Sequence, residues 1–267
     1  MCLVLTSCAG AHRFYGNAGA MLMKVVSLLR GIGNRIYEHA FPIYGPVYAA
    51  YKACIDRAER QLLREILIAG AVVVDAGANI GIYSQFFSRR VGATGVVHSF
   101  EPSPENFARL QSATRKLANV RLSQAAVGEY SRRSKLYLSD NLNVDHRTYA
   151  TEGDPRREVP IDIIALDDYF KRGQRVDLIK MDIQGYELHA LRGANRVLAD
   201  NPDAKLLLEF WPYGLKQAGT NWIELIDTLE RQNMAVCQIT RYGLVPFCAE
   251  SVSENPDWYV NLFASPK

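Results

Sequence analysis

From residue 71 onward the chain alternates short apolar runs with longer stretches of mixed polarity. The runs fall at 71–74, 95–100, 120–127, 176–181, 204–210, 235–240 and 258–263. The first, Ala-Val-Val-Val, is an unbroken apolar block, and those at 176–181 and 204–210 admit only isolated charges. Such blocks are typical of strands covered on both faces. Between them, 56–68, 104–117 and 222–232 read as helices, the first carrying Leu62, Leu63, Ile66 and Leu67 on its buried side and ended by Gly70. Strands alternating with helices predict an α/β domain on a mostly parallel, doubly wound sheet.

Two regions break this rhythm. Residues 135–139 and 159–165 read as strands flanking the polar segment 140–157, so that roughly 135–165 is an inserted hairpin or loop that a minimal doubly wound fold does not need. A long polar loop near strand ends is a common place for substrate selection, which makes Asn143, His146 and Arg147 candidates. Ahead of the domain, 21–36 sets Leu22, Val25, Val26, Leu29 and Ile32 on one helical face. Such a helix packs on its own domain or lies on a membrane or partner surface. Residues 42–51 are aromatic and punctuated by proline, with Tyr44, Tyr48 and Tyr51 available for packing or for lining a pocket. The expected organisation is an unstructured leader at 1–20, a helical extension at 21–69 and the main domain at 70–267.

The chemistry concentrates where the first strand ends. Residues 71–84 read AVVVDAGANIGIYS: a buried strand, Asp75, a turn with Gly77 and Gly81, and the start of a helix. Glycines there allow unusual backbone angles and close approach of a ligand. The spacing D-x-G-x-N-x-G lacks the third glycine of a dinucleotide fingerprint, and suits a nucleoside without a pyrophosphate. The second strand, GVVHSF, ends in Glu101-Pro102, where an acid reaches ribose hydroxyls in folds of this kind. Asp182 and Glu209 close the strands at 176–181 and 204–210, so the four acids Asp75, Glu101, Asp182 and Glu209 all fall toward the carboxyl edge of the sheet, where open α/β sheets bind ligands.

Composition narrows the classes. The 267 residues are 48% hydrophobic, enough for one large domain and an extension. A net charge of +3, without a block of basic residues, does not argue for nucleic acid. No apolar run approaches the roughly 20 residues needed to span a bilayer. Five cysteines, without metal-like spacing, read as reduced thiols in the cytoplasm. The segment LVLTSC ending at Cys8 has too short an apolar stretch and no basic flank for a lipoprotein signal. No His, Asp or Glu spacing demands a metal.

Taken with VVHSFEPSPENFARL and VDLIKMDIQGYELHALRGA, the glycine turn resembles the S-adenosylmethionine-dependent class I methyltransferases, and among them the FkbM family. The resemblance runs from about residue 44 to the end and implies a Rossmann-like sheet of seven strands closed by an antiparallel hairpin from 235–240 and 258–263. It implies S-adenosylmethionine held by Asp75, Gly77, Ala78, Asn79, Gly81 and Tyr83, by Glu101 and Pro102, and by the small residues Ala125 and Ala126 beside the adenine. The family's D-x-E-G-x-E motif is matched by Asp182, Gly185 and Glu187, whereas Gln184 departs from it and removes a carboxylate. Gln184 and Glu187, with Asn143 and Arg147, become substrate candidates. Asp182, then His146, and Glu209 are the candidate groups for taking or steering a hydroxyl proton. The expected acceptor is a hydroxyl of a sugar, glycan or secondary metabolite. A scaffold that binds cofactor without turnover, and an NAD-dependent nucleotide-sugar oxidoreductase, are the alternatives; the latter would need the missing third glycine of the dinucleotide fingerprint.

Overall fold

The computed structural model describes residues 37, 40–139, 146–150 and 156–267. The leader expected at 1–20, the amphipathic helix expected at 21–36, and Asn143 lie outside the described residues. Residues 49–267 form one compact unit, and the described residues before 49 belong to another. In that earlier unit Tyr44 packs edge-on against Tyr37 and stacks on Tyr48, with ring centroids 5.3 Å apart in each pair.

The proline-punctuated stretch is helical. Helix α1 (Phe41–Ile55) carries Pro42 in its first turn, where no donor is required, and Pro46 inside, where one backbone bond is forfeited. Helix α2 (Arg57–Ile66) follows and leads into the sheet.

Five parallel strands make the centre: β1 (Val72–Ala76), β2 (Val96–Phe100), β3 (Val120–Ser123), β7 (Leu178–Met181) and β8 (Lys205–Phe210). Their order is β8-β7-β1-β2-β3, so the chain reverses direction of winding between β1 and β7. Antiparallel β11 (Val260–Pro266) pairs with β8, β9 (Met234–Thr240) pairs with β11, and β10 (Gly243–Pro246) pairs with β9. The seven expected strands are present, and β10 adds an eighth at the edge, turned back on β9 through Gly243 at φ +115°.

Side chains alternate across the sheet with period two. Val74, Ile179, Leu206 and Leu208 face one core, with the short helices α6 (Glu187–Arg192) and α7 (Asn195–Asp200) and the helix α9 (Trp222–Arg231) packed on it. Val73, Leu178 and Leu207 face the other, against Leu63 of α2 and Tyr83, Phe87 and Val91 of α3 (Ile82–Val91). This two-sided cover explains why the strands read as continuous apolar blocks.

The strand expected over 120–127 is two strands. It breaks at Gln124, and β4 (Ala125–Val127) leaves the main sheet to pair in parallel with β6 (Arg157–Ile164), which is antiparallel to β5 (Arg132–Leu138). The inserted hairpin is therefore a second three-stranded sheet with its own small core of Ala126, Leu136, Ile161, Ile163 and Tyr186. Among the described residues, no helix is long and apolar enough to cross a membrane.

Candidate active site at the carboxyl edge of the sheet

Two turns meet at the centre of the sheet edge. The first follows β1. Gly77 and Gly81 hold φ of +77° and +87°, and Asn79 between them holds +50°. Every backbone amide of this turn is already engaged. Gly77 N and Ala78 N donate to Phe100 O at 3.0 and 2.9 Å, and Gly81 N donates to Ala78 O at 2.9 Å. Asn79 N donates to Glu101 Oε2 at 2.9 Å, and Ile80 N to Asn79 Oδ1 at 2.7 Å. A phosphate-cradling turn needs free N–H groups, and this one has none between 77 and 81.

The glycines serve packing between loops. A Cβ on Gly77 would sit 2.0 Å from Asp182 O, and one on Gly81 would sit 2.8 Å from Leu110 Cδ1. Gly77 is thus the point at which the turn after β1 touches the turn after β7.

Glu101 stands just past β2, 5% exposed. Asn79 N and Ser103 N each donate to one of its oxygens at 2.9 Å, and the Asn106 side chain adds a third bond. Burial outweighs these donors and lifts its carboxyl to about 7. A carboxylate offers about four acceptor sites, so one remains for a hydroxyl. Pro102 is half-buried beside it.

The second turn runs from Asp182 to Glu187. Glu187 Oε1 accepts from Ile183 N at 3.1 Å and Gly185 N at 3.3 Å, stapling the turn from below. Gln184 adopts φ +57°, and Tyr149 OH donates to its carbonyl at 2.7 Å. Gly185, at φ +92°, lies so near Gly214 of helix α8 (Pro212–Gln217) that a Cβ would come within 2.4 Å of the Gly214 carbonyl carbon. That contact brings the turn up against the end of β8. Gln184 Nε2 consequently donates to Glu209 Oε2 at 2.9 Å and lies 3.4 Å from Asp182 Oδ1.

Lys180, in the middle of an apolar strand, is the counter-charge. Its Nζ lies 3.5 Å from Asp182 Oδ2, 3.7 Å from Asp75 Oδ1 and 5.0 Å from the centroid of the Tyr83 ring. Burial lowers the Lys180 ammonium's pKa, but Asp182 and Asp75 more than reverse this and raise it. Burial also pushes Asp182 up, yet Lys180 and Lys52 together hold it below its ordinary value. Glu209 moves the other way: burial first, then the charges of Asp182 and Glu187, raise it well above its ordinary value. The two neighbouring carboxyls are therefore pushed in opposite directions, Asp182 toward its ionised form and Glu209 toward its protonated one.

Asp182 and Glu209 open into a cavity of about 370 Å³, whose other polar walls include Lys52, Asp56, Glu59, Tyr83, Tyr259 and Asn261. Tyr83 OH donates to Glu59 Oε2 at 2.6 Å, Asn261 Nδ2 donates to Glu59 Oε1, and Lys52 pairs with Asp56 at 2.9 Å. From α1 the lining residues are Lys52 and Ile55 rather than its tyrosines.

Several residues expected to touch a ligand are inside the protein. Asp75 has no exposed surface; its Oδ2 accepts from Ser84 Oγ at 2.7 Å, and it reaches the site only through Lys180. Glu187 is likewise fully buried and serves the turn, so it is not available to a substrate. Ala126 is 5% exposed within the core of the small sheet. His146 Nδ1 accepts from Ser139 N at 3.1 Å, which ties the ring to the inserted sheet. Arg147 exchanges backbone bonds with Tyr137 and places its guanidinium 5.1 Å from the centroid of Trp211, just beyond Glu209. Lys180, Lys52, Asp56, Glu59 and Asn261 were not expected at the site. Only Lys180 carries a sequence signal, a lone cation in a buried strand.

Several known proteins are similar to this chain. A protein called Methyltransferase 1 from Beauveria bassiana (strain ARSEF 2860) is 28% identical in an alignment 143 positions long that covers 45% of this chain and 57% of that protein. The chain thus matches little more than half the length of that relative. Among solved structures, a SAM-dependent methyltransferase from Aquifex aeolicus aligns over 76% of this chain and 87% of its own, at 18% identity and a TM-score of 0.42. An rRNA methylase from Streptococcus thermophilus aligns over 78% of this chain and 93% of its own, at 11% identity and a TM-score of 0.46. The family described as the Methyltransferase FkbM domain matches residues 75–234, more than half of the sequence and all of the strand ends described above, and the chain belongs to that family.

Proposed function

We propose that the chain is an S-adenosylmethionine-dependent O-methyltransferase acting on a hydroxyl of a sugar, glycan or hydroxylated secondary metabolite in the cytoplasm. The observation that carries the cofactor assignment is the fully bonded turn from Gly77 to Gly81 beside a buried Glu101. With no free amide and a carboxylate alongside, it disfavours the pyrophosphate of NAD and suits the ribose of a nucleoside. The residues fit S-adenosylmethionine: Glu101 has an acceptor site left for a ribose hydroxyl, and the Gly77–Asp182 contact sets the acid turn directly beside the nucleoside turn.

When bound, S-adenosylmethionine supplies a sulfonium methyl group whose transfer breaks a carbon–sulfur bond and leaves the electron pair on a neutral thioether. The protein's task is alignment and removal of one proton. As the acceptor oxygen bonds to carbon, its proton becomes far more acidic than any carboxylic acid. A carboxylate with a low pKa is therefore adequate, provided it is ionised and within hydrogen-bond reach. Asp182 fits that role, because Lys180 and Lys52 hold it ionised. The proton passes to Asp182 and leaves to solvent through a side chain that is 35% exposed. Glu209, whose hold on its proton is strengthened by burial and by the charges of Asp182 and Glu187, steers the acceptor through a hydrogen bond to a neighbouring oxygen. Arg147, its guanidinium over Trp211, is the candidate from the inserted sheet for contacting the acceptor.

The test is transfer of a labelled methyl group from S-adenosylmethionine to a panel of methyl glycosides and hydroxylated polyketides, read by mass spectrometry. Products one methylene heavier and stable to mild base support an O-methyl ether. Methylation only at nitrogen or carbon overturns the hydroxyl assignment.

A further inference from the structure

Gln184 is the node of the acid turn. Gln184 has three restraints that do not depend on its side chain. Its backbone is in the left-handed region at φ +57°, its carbonyl accepts from Tyr149 of the inserted sheet at 2.7 Å, and the next residue is wedged against Gly214. A non-glycine residue persists in that region where the surroundings over-determine it. With the backbone fixed, the carboxamide has little choice of place. It reaches Glu209 Oε2 at 2.9 Å and Asp182 Oδ1 at 3.4 Å from a single nitrogen.

We propose that Gln184 is a positioning residue: its amide nitrogen, donating toward Glu209 and Asp182 together, holds the two carboxyl groups side by side without adding a third charge. A glutamate at the same place would offer no donor and would put three carboxyl groups around one point. An amide bridges them instead, donating toward both groups and adding no negative charge. The other charged and titratable groups facing the pair are Lys180 and Asp75 from the central strands, Lys52 from α1, Glu187 beneath the turn, and Tyr259 beside β11. Asp56 and Glu59 share the cavity from the α1–α2 side. Lys180 donates to Asp182 Oδ2 at 3.5 Å and acts on Glu209 through charge, and Lys52 acts on both through charge. This inference builds on the catalytic reading above but is measurable without any acceptor.

The experiment is a pH titration of the Asp182 and Glu209 side-chain carboxyl carbons by NMR in the ligand-free full chain, with signals assigned by their loss in Asp182→Asn and Glu209→Gln. It compares wild type with Gln184→Leu and Gln184→Glu, each first shown to be folded by its amide spectrum. Removing a donor to an ionised carboxylate raises its pKa, so Gln184→Leu should move both titrations upward by about one pH unit. Gln184→Glu should move them at least as far, because it adds a charge as well as removing the donor. If the leucine variant does not fold, the glutamate variant decides. Titrations that stay within about 0.2 pH units of wild type would overturn the proposal, since a merely structural role alters stability without moving these groups. S-adenosylhomocysteine binding to wild type is measured alongside. Its absence would refute the cofactor assignment, whereas the role of Gln184 is decided by the titrations alone.

Discussion

Replacing Glu187 by glutamine tests how the acid turn is built. Glu187 has no exposed surface, and only Oε1 is used, accepting from Ile183 N and Gly185 N; Oε2 is buried without a hydrogen-bond partner. Burial lifts the carboxyl from its ordinary 4.5 to about 7. Below pH 4.5 both folded and unfolded chains hold the proton. Between 4.5 and 7 the unfolded chain has released it and the folded chain has not, so the folded state binds more protons and stability falls as pH rises. Above 7 both are ionised and the loss is complete. At 1.36 kcal/mol per pH unit, this window corresponds to about 3 kcal/mol. Glutamine keeps the Oε1 acceptor and cannot titrate. Its amide group, placed where Oε2 has no partner, adds a pH-independent cost of about 1–3 kcal/mol. The assay is urea unfolding of wild type and Glu187→Gln, followed by the fluorescence of Trp211, Trp222 and Trp258, in half-unit steps from pH 4.5 to 8. The wild-type advantage should shrink by about 3 kcal/mol up to pH 7 and then level off. Parallel stability profiles would refute the account, because they would mean that Glu187 is ionised in the fold throughout.

Two further outcomes follow from the same geometry. Asp182→Asn should lower kcat about 10²-fold on any acceptor the enzyme methylates while S-adenosylhomocysteine affinity stays within about threefold; unchanged turnover would remove Asp182 from proton transfer. Gly77→Ala would place a methyl group 2.0 Å from Asp182 O at φ +77°, and should lower the melting temperature by at least about 5 °C in a thermal scan; an unchanged melt would show that the two turns do not touch.

Much of the fold was readable because strands covered on both faces cannot hide their composition. The block AVVVDAG could only be a buried strand meeting a turn, and the rule that ligands sit at strand carboxyl ends pointed to Asp75, Glu101, Asp182 and Glu209, of which Asp182 and Glu209 lie together around Gln184. What escaped were features set by contacts distant in sequence. The break at Gln124 lies between two stretches equally fit to be strands, and the choice is made by β6, more than thirty residues later. Strand β10 is an exposed edge pairing whose side chains have no core to select them. Asp75 and Glu187 read as ligands because acids near a turn resemble a site, and only burial shows that they brace it. Gly77 and Gly81 take the positive φ angles expected of the turn, and the space beside Gly77 is filled by the Asp182 carbonyl, a contact the sequence did not show. The cavity wall from α1 and α2 had no local signature, since Lys52, Asp56 and Glu59 look like an ordinary solvated helix face until Tyr83 and Asn261 close on them.

The claim on which the rest depends is that the turn beside Glu101 holds a nucleoside bearing sulfur and no pyrophosphate. Calorimetric titration of the full chain at pH 8, where Glu101 is ionised, tests it with S-adenosylhomocysteine and NAD in parallel, on wild type and Glu101→Ala. The account predicts micromolar binding of S-adenosylhomocysteine to wild type, weakened more than about tenfold in Glu101→Ala, and no binding of NAD. Binding of NAD in place of S-adenosylhomocysteine, or equal affinity of S-adenosylhomocysteine for wild type and Glu101→Ala, would contradict it.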